Sequence, residues 1–142
     1  GWLMKYDKLQ CEHKIGDSRI DFFISGKCNY LLEVKSVILK KDNVAYFPDG
    51  YKKSGDLVVS ERALKHVLTL QKYARNNKND QAWLIFLVQR NDIDYFRLNV
   101  ERDPYYARAV LNALHTNVVV RAFKICWTEM GCRGWKEIPI IW

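Results

Sequence analysis

Three residues in this chain have side chains and spacing suited to phosphodiester chemistry: Asp21, then Glu33 and Lys35 in a Glu-Val-Lys run. Residues two apart on a strand project from one face, so Glu33 and Lys35 are expected to emerge together. A neighbouring strand can bring Asp21 beside them. Two carboxylates a few ångströms apart repel and shift each other's pKa unless a divalent cation sits between them. Magnesium or manganese suits such an oxygen-only site. Lys35 is then placed to orient or deprotonate an attacking water, or to neutralise charge on a phosphate. The plainer alternative is an exposed strand face with an ordinary Glu/Lys pair, since this pattern also arises by chance in lysine-rich chains. Leu31, Leu32, Val37 and Ile38 weigh against it, because charges set among apolar residues are costly unless partnered.

The elements that must position these residues follow from hydrophobic period and turn chemistry. A strand is expected over 18–25, with Ile20, Phe22 and Ile24 on one face and Arg19, Asp21 and Phe23 on the other. Residues 26–29 have turn composition, and 30–39 read as a longer strand completing an antiparallel hairpin. Residues 43–47 suggest a short third strand closed by Pro48-Asp49-Gly50, and 51–58 an exposed loop. Ser60 is a plausible N-cap for a helix to about Arg75, with Glu61 in its first turn. Its apolar stripe reads as Leu64, Val67, Leu68 and Ala74, with Arg62, Lys65, Thr69 and Lys72 opposite. Residues 76–80 break the helix. Residues 82–89 form the apolar run of a strand buried on both faces, and 95–98 a short strand at best. Asp103-Pro104 opens a second helix to about His115, and 118–127 is a β-branched strand. Residues 135–142 are an edge strand or packed extension. The result is an α/β domain with helices covering a central mixed sheet.

At 142 residues and 49% hydrophobic, the chain suits one domain with its own core. A net charge of +7 favours a polyanionic partner through counterion release, although many basic domains bind nothing. The longest apolar runs are too short to span a bilayer, and no secretory leader pattern opens the chain. Gly1 in place of Met suggests a trimmed or vector-derived start. Cys11, Cys28, Cys126 and Cys132 form no Cys-x-x-Cys pair and read as reduced thiols in a cytoplasmic or nuclear, intracellular compartment. No Ser/His/Asp arrangement or glycine-rich phosphate loop supports acyl transfer or nucleoside-triphosphate hydrolysis.

Several segments in register carry a resemblance. Ser18-Arg19-Ile20-Asp21-Phe22, Leu32-Glu33-Val34-Lys35-Ser36-Val37 and Tyr46-Phe47-Pro48-Asp49 come first, followed by Ser60-Glu61-Arg62-x-x-Lys65-His66. With Phe86-Leu87-Val88 and Asp103-Pro104-x-Tyr106, they resemble the C-terminal part of the sugar fermentation stimulation protein A (SfsA) family, over about residues 12–124. The resemblance implies a restriction-endonuclease-like, PD-(D/E)XK fold. Bacterial members of that family are regarded as DNA-binding proteins linked to sugar metabolism, usually with an OB-like N-terminal domain. No such region precedes Glu12, so 1–142 reads as a single domain.

Carried over by residue, Asp21 and Glu33 are the expected metal carboxylates and Lys35 the catalytic lysine. Glu12 falls near a further acidic metal position, with altered spacing. Arg62, Lys65 and His66 match a basic helix start that meets phosphates, with Arg19 and Ser60 as further nucleic-acid contacts. His66 is read as a phosphate contact rather than a general base. Ser60-Glu61-Arg62-Ala63 departs from the family's Thr-x-Arg-Gly, and the loop at 50–59 is longer than the resemblance implies, with Lys52 and Lys53 inside it.

The leading expectation is a magnesium- or manganese-dependent nuclease acting on DNA or RNA. One alternative is a non-catalytic nucleic-acid-binding module. Another is a subunit of a larger assembly, with the Trp-rich tail contacting a protein partner or a second copy. Trp127, Trp135 and Trp142 are nevertheless expected to pack, as are Trp83, Phe86, Tyr105, Tyr106 and Phe123. His13 and His115 read as structural or exposed.

Overall fold

The computed structural model describes residues 5–142, so the reading of Gly1 lies outside the described residues. The strands are β1 (Tyr6–Ile15), β2 (Ser18–Gly26), β3 (Tyr30–Val37), β4 (Lys40–Lys41), β5 (Val44–Phe47), β6 (Gln81–Val88), β7 (Tyr95–Leu98), β8 (Val118–Thr128), β9 (Gly131–Ile138) and β10 (Ile140–Ile141). Helix α1 (Glu61–Asn76) lies between β5 and β6, and α2 (Pro104–Leu114) between β7 and β8.

A six-stranded mixed sheet runs in the order β1-β2-β3-β6-β8-β9. β3, β6 and β8 are parallel, and the outer strands pair antiparallel. A second, four-stranded sheet has the order β10-β7-β5-β4. The expected central mixed sheet with two helices is therefore present. The helices pack against each other and share one core with the sheet, so they cover one face rather than flanking both. The second sheet joins them there, with Phe86 of β6 stacked on Phe96 of β7 (4.3 Å) and close to Phe47 of β5 (5.5 Å).

Both helix starts form as read. Ser60 accepts a hydrogen bond from Ala63 N, and Asp103 accepts one from Tyr106 N with Pro104 in the first turn. The face that α1 buries differs from the expected stripe. Ala63, His66, Val67, Leu70, Gln71 and Ala74 are buried, whereas Leu68 is 49% exposed. A helical period through Ala63, Val67, Leu70 and Ala74 has the right phase, and two polar residues on that face disguise it.

Two strands are hidden from the sequence by their polarity, and the short third strand forms where expected. β1 is exposed along most of its length and was not anticipated; its pairing with β2 holds it. The third strand belongs to the second sheet, where β5 lies between β4 and β7. β9 completes a long hairpin with β8 that leaves Trp127 and Trp135 44% and 74% exposed; Trp142, after β10, is 55% exposed, so none of the three is packed away as expected. Tyr105 is also exposed, while Phe86, Tyr106 and Phe123 are buried. The four cysteines are free.

Candidate active site

β2 and β3 pair antiparallel as far as Phe22 opposite Leu32, and then part. There the two acids take over the hydrogen bonding of the ladder. Asp21 N donates to Glu33 Oε2 (3.2 Å), and Val34 N donates to Asp21 Oδ2 (2.8 Å). Each carboxylate thus satisfies a backbone N–H of the facing strand that would otherwise lose a partner. Side-chain alternation breaks at the same place, since Ile20 and Phe23 both pack on the core.

On the other side of β2, the pairs Cys11–Phe22 and His13–Ile20 bracket Glu12 and Asp21. Glu12 has a left-handed φ of 50° in mid-strand. That conformation costs a non-glycine residue about 1–3 kcal/mol and clusters at functional sites. The register therefore puts Glu12, Asp21 and Glu33 at one level of three adjacent strands, where regular pairing is interrupted.

Lys35 reaches back along β3, with Nζ 2.6 Å from Glu33 Oε1. His66 Nδ1 lies 2.5 Å from the same oxygen and 3.1 Å from Lys35 Nζ. One tautomer cannot make both contacts: a protonated Nδ1 donates to Glu33, and a bare one accepts from Lys35. Glu33 is 2% exposed, and a buried carboxylate survives only with donors of this kind around it. Tyr106 of α2 is also buried, and its hydroxyl has no hydrogen-bond partner among the described residues. Burial, then the nearby Glu33 and Asp103 charges, hold its phenol well above the usual range, so it stays protonated.

The other expected site residues are placed differently. His66 is not on the solvent face of α1 but buried behind Glu33. Lys65 is tied to Asp17, 2.8 Å from its carbonyl and 2.9 Å from its carboxylate. The Ser60 hydroxyl is spent on its cap. Arg19 and Arg62 are exposed, and their side chains have no hydrogen bond or ion pair among the described residues. Tyr106 packs in the core as expected, and the placement of its hydroxyl near Glu33 is not legible in the sequence.

Among the described residues, no three His, Cys, Asp or Glu side chains are drawn together into a ready cation cage. Asp21 Oδ1 is nevertheless uncommitted, and Glu33 Oε2 accepts a single weak N–H. A pair of hard carboxylates is the kind of donor set on which magnesium-type sites are built. The residues present fit such an ion.

Comparison with known proteins agrees with this architecture. The family model described as the sugar fermentation stimulation protein RE domain (SfsA) matches residues 2–131. A sugar fermentation stimulation protein homolog of Clostridium kluyveri is 36% identical over 124 residues, covering 86% of this chain and 50% of that protein. A homolog of Clostridium tetani is 33% identical over 141 residues, covering 98% and 57%. The chain thus spans about half the length of these relatives. The structure of Pyrococcus furiosus SfsA in complex with Ca2+ superposes with a TM-score of 0.78 at 26% identity, over 94% of this chain and 54% of that one.

Proposed function

Because the chain belongs to the sugar fermentation stimulation protein family, we propose that it is a metal-dependent nuclease domain of the PD-(D/E)XK type, hydrolysing phosphodiester bonds in DNA or RNA. The observation that carries this reading is the meeting of Asp21, Glu33 and Lys35 where β2 and β3 part. The Ca2+ of the Pyrococcus furiosus relative supports a cation site in this chain too. Asp21 and Glu33 would hold magnesium or manganese, with Glu12 at the same level as a further oxygen donor. The ion, when bound, supplies Lewis-acid polarisation of the phosphoryl oxygen and countercharge for the developing negative charge.

The chain's own residues do the rest. Lys35 brings an ammonium to the edge of the carboxylate pair, where it orients a water or meets a non-bridging phosphate oxygen. His66 backs the pair from α1, donating to Glu33 when Nδ1 carries a proton and accepting from Lys35 when it does not. Asp21 spans β2 and β3 by accepting from Val34 N, which fixes the separation of the two carboxylates. Arg19 and Arg62, exposed and unpartnered among the described residues, are free to meet phosphates on either side.

A second reading, a non-catalytic nucleic-acid-binding module, is favoured by one observation: Glu33 Oε1 is already occupied by Lys35 and His66. Incubation of single- and double-stranded DNA and RNA with magnesium, manganese or EDTA separates the two. The nuclease reading expects products with metal and none with EDTA. Binding without products under every condition selects the module.

A further inference from the structure

Positive charge also gathers on the outer face of the second sheet. A cleft of about 310 Å³ lies there between β4, β5, β7 and the turn that precedes α2. Lys40, Lys41, Arg97 and Arg102 line it against one carboxylate, Glu101. Alternation in β7 forces Arg97 outward: Phe96 and Leu98 are buried in the core, and Arg97 stands opposite Tyr46 of β5, which lines the same cleft. Lys40 is committed to Asp92 (2.8 Å), but Lys41 and Arg97 are exposed with no partner among the described residues.

The long loop noted in the sequence stands beside this cleft. Arg102 donates from Nη1 to Asp49 O (2.7 Å) and lies over the Tyr51 ring, 4.4 Å from its centroid. Tyr51 is 80% exposed, so the guanidinium steadies one face of the ring and leaves the other to solvent. Lys52 and Lys53 follow directly, both exposed. The base of the loop is closed tightly. A Cβ on Gly50 would come 2.9 Å from Val59 Cγ1, and Val59 N donates to Asp103 Oδ2 (2.7 Å). The turn at 99–103 therefore forms the cleft wall on one side. On the other it anchors the segment entering α1, whose His66 touches Glu33.

Cations spaced along a groove with an open aromatic face beside them form the pattern that grips single-stranded nucleic acid: phosphates meet the cations and a base stacks on the ring. We propose that this cleft and the Tyr51 loop form a second contact surface for single-stranded nucleic acid, holding the strand that leads away from the cleavage site. Lys41, Arg97, Lys52 and Lys53 hold phosphates, and Tyr51 stacks one base. The inference rests on the nuclease reading for its direction but is tested without cutting.

The experiment is fluorescence anisotropy with a labelled 12-nucleotide single strand, as DNA and as RNA. It uses the whole chain in EDTA, with polyglutamate as competitor. In Lys41→Ala/Arg97→Ala the slope of log affinity against log salt falls by about 1.4, at about 0.7 per phosphate contact on a single strand. Tyr51→Ala weakens binding about tenfold at unchanged slope, as loss of one stacked base predicts. All three side chains are exposed, and unchanged thermal melting confirms that each variant is folded. Wild-type affinity and slope in both variants would overturn the inference while leaving metal-dependent cutting, measured separately, to stand. Displacement of the strand by polyglutamate at equal charge concentration would also overturn it, in favour of an acidic-peptide site. Absence of any binding by the wild type also overturns this inference, and the nuclease reading is then decided separately by metal-dependent cutting.

Discussion

Replacing Lys35 with Met removes one of the nitrogens that hold a carboxylate almost out of water. Glu33 is 2% exposed and receives Lys35 Nζ at 2.6 Å, His66 Nδ1 at 2.5 Å and Asp21 N at 3.2 Å. Taking away one partner of a buried ion pair costs about 3–5 kcal/mol, because the remaining charge is left uncompensated. Two contacts to Glu33 survive here and Lys35 itself is 13% exposed, which lowers the expected cost of Lys35→Met to about 2–3 kcal/mol. In urea unfolding followed by tryptophan fluorescence, that loss moves the midpoint down by about 1–2 M at an ordinary slope for a small domain. In Glu33→Gln/Lys35→Met neither charge is orphaned, so adding the lysine change to Glu33→Gln costs less than about 1 kcal/mol. A single Lys35→Met variant within about 0.5 kcal/mol of wild type, the range of ordinary surface changes, would refute the idea that this contact holds Glu33. The measurement bears on function as well, since it separates loss of chemistry in that variant from loss of folded protein.

Asp103 caps α2 through Tyr106 N and holds Val59 N, so Asp103→Ala loses a cap and strands a backbone donor; chemical denaturation should show a cost of about 2–4 kcal/mol. The buried phase of α1 makes Leu70→Ala cost about 2–5 kcal/mol and Leu68→Ala less than about 1 kcal/mol; the reverse order in the same assay would restore the stripe first read from the sequence. Burial, then the hydrogen bond to Asp80, raises the Tyr73 phenol above its ordinary value of 10.0, so the folded state keeps a proton that the unfolded chain releases. That stabilisation is complete below the unfolded value and is lost as pH rises above it, and Tyr73→Phe should remove part of the alkaline loss in melting temperature.

The sequence made some layers of this molecule legible and concealed others for physical reasons. Ser60 and Asp103 announced both helix starts because capping is local chemistry, written within four residues. The apolar run at 82–88 announced β6 because a parallel strand inside a sheet buries nearly everything it carries. β1 gave no such signal: an edge strand is specified by its partner, and its residues are mostly exposed. Glu33 and Lys35 were legible through their spacing on one strand. Asp21 required tertiary information, because its place beside Glu33 depends on the interruption between Ile20 and Phe23 that a strict two-residue period cannot show. His66 was legible as a residue but not in its setting. Its burial follows from the phase of α1 against the sheet, and two polar residues on the buried face shifted that phase in the sequence reading.

The central claim is that Asp21, Glu33 and Lys35 form one hydrolytic centre, and single-turnover cleavage tests it most directly. Wild type, Asp21→Asn and Lys35→Met would be compared in magnesium and in manganese, at temperatures where melting curves show each protein folded. The account predicts metal-dependent products from wild type and a loss of about 100-fold or more in both variants, the usual scale for removing a group that acts on the transition state. Wild-type rates in either folded variant, or cutting that persists in EDTA, would contradict it.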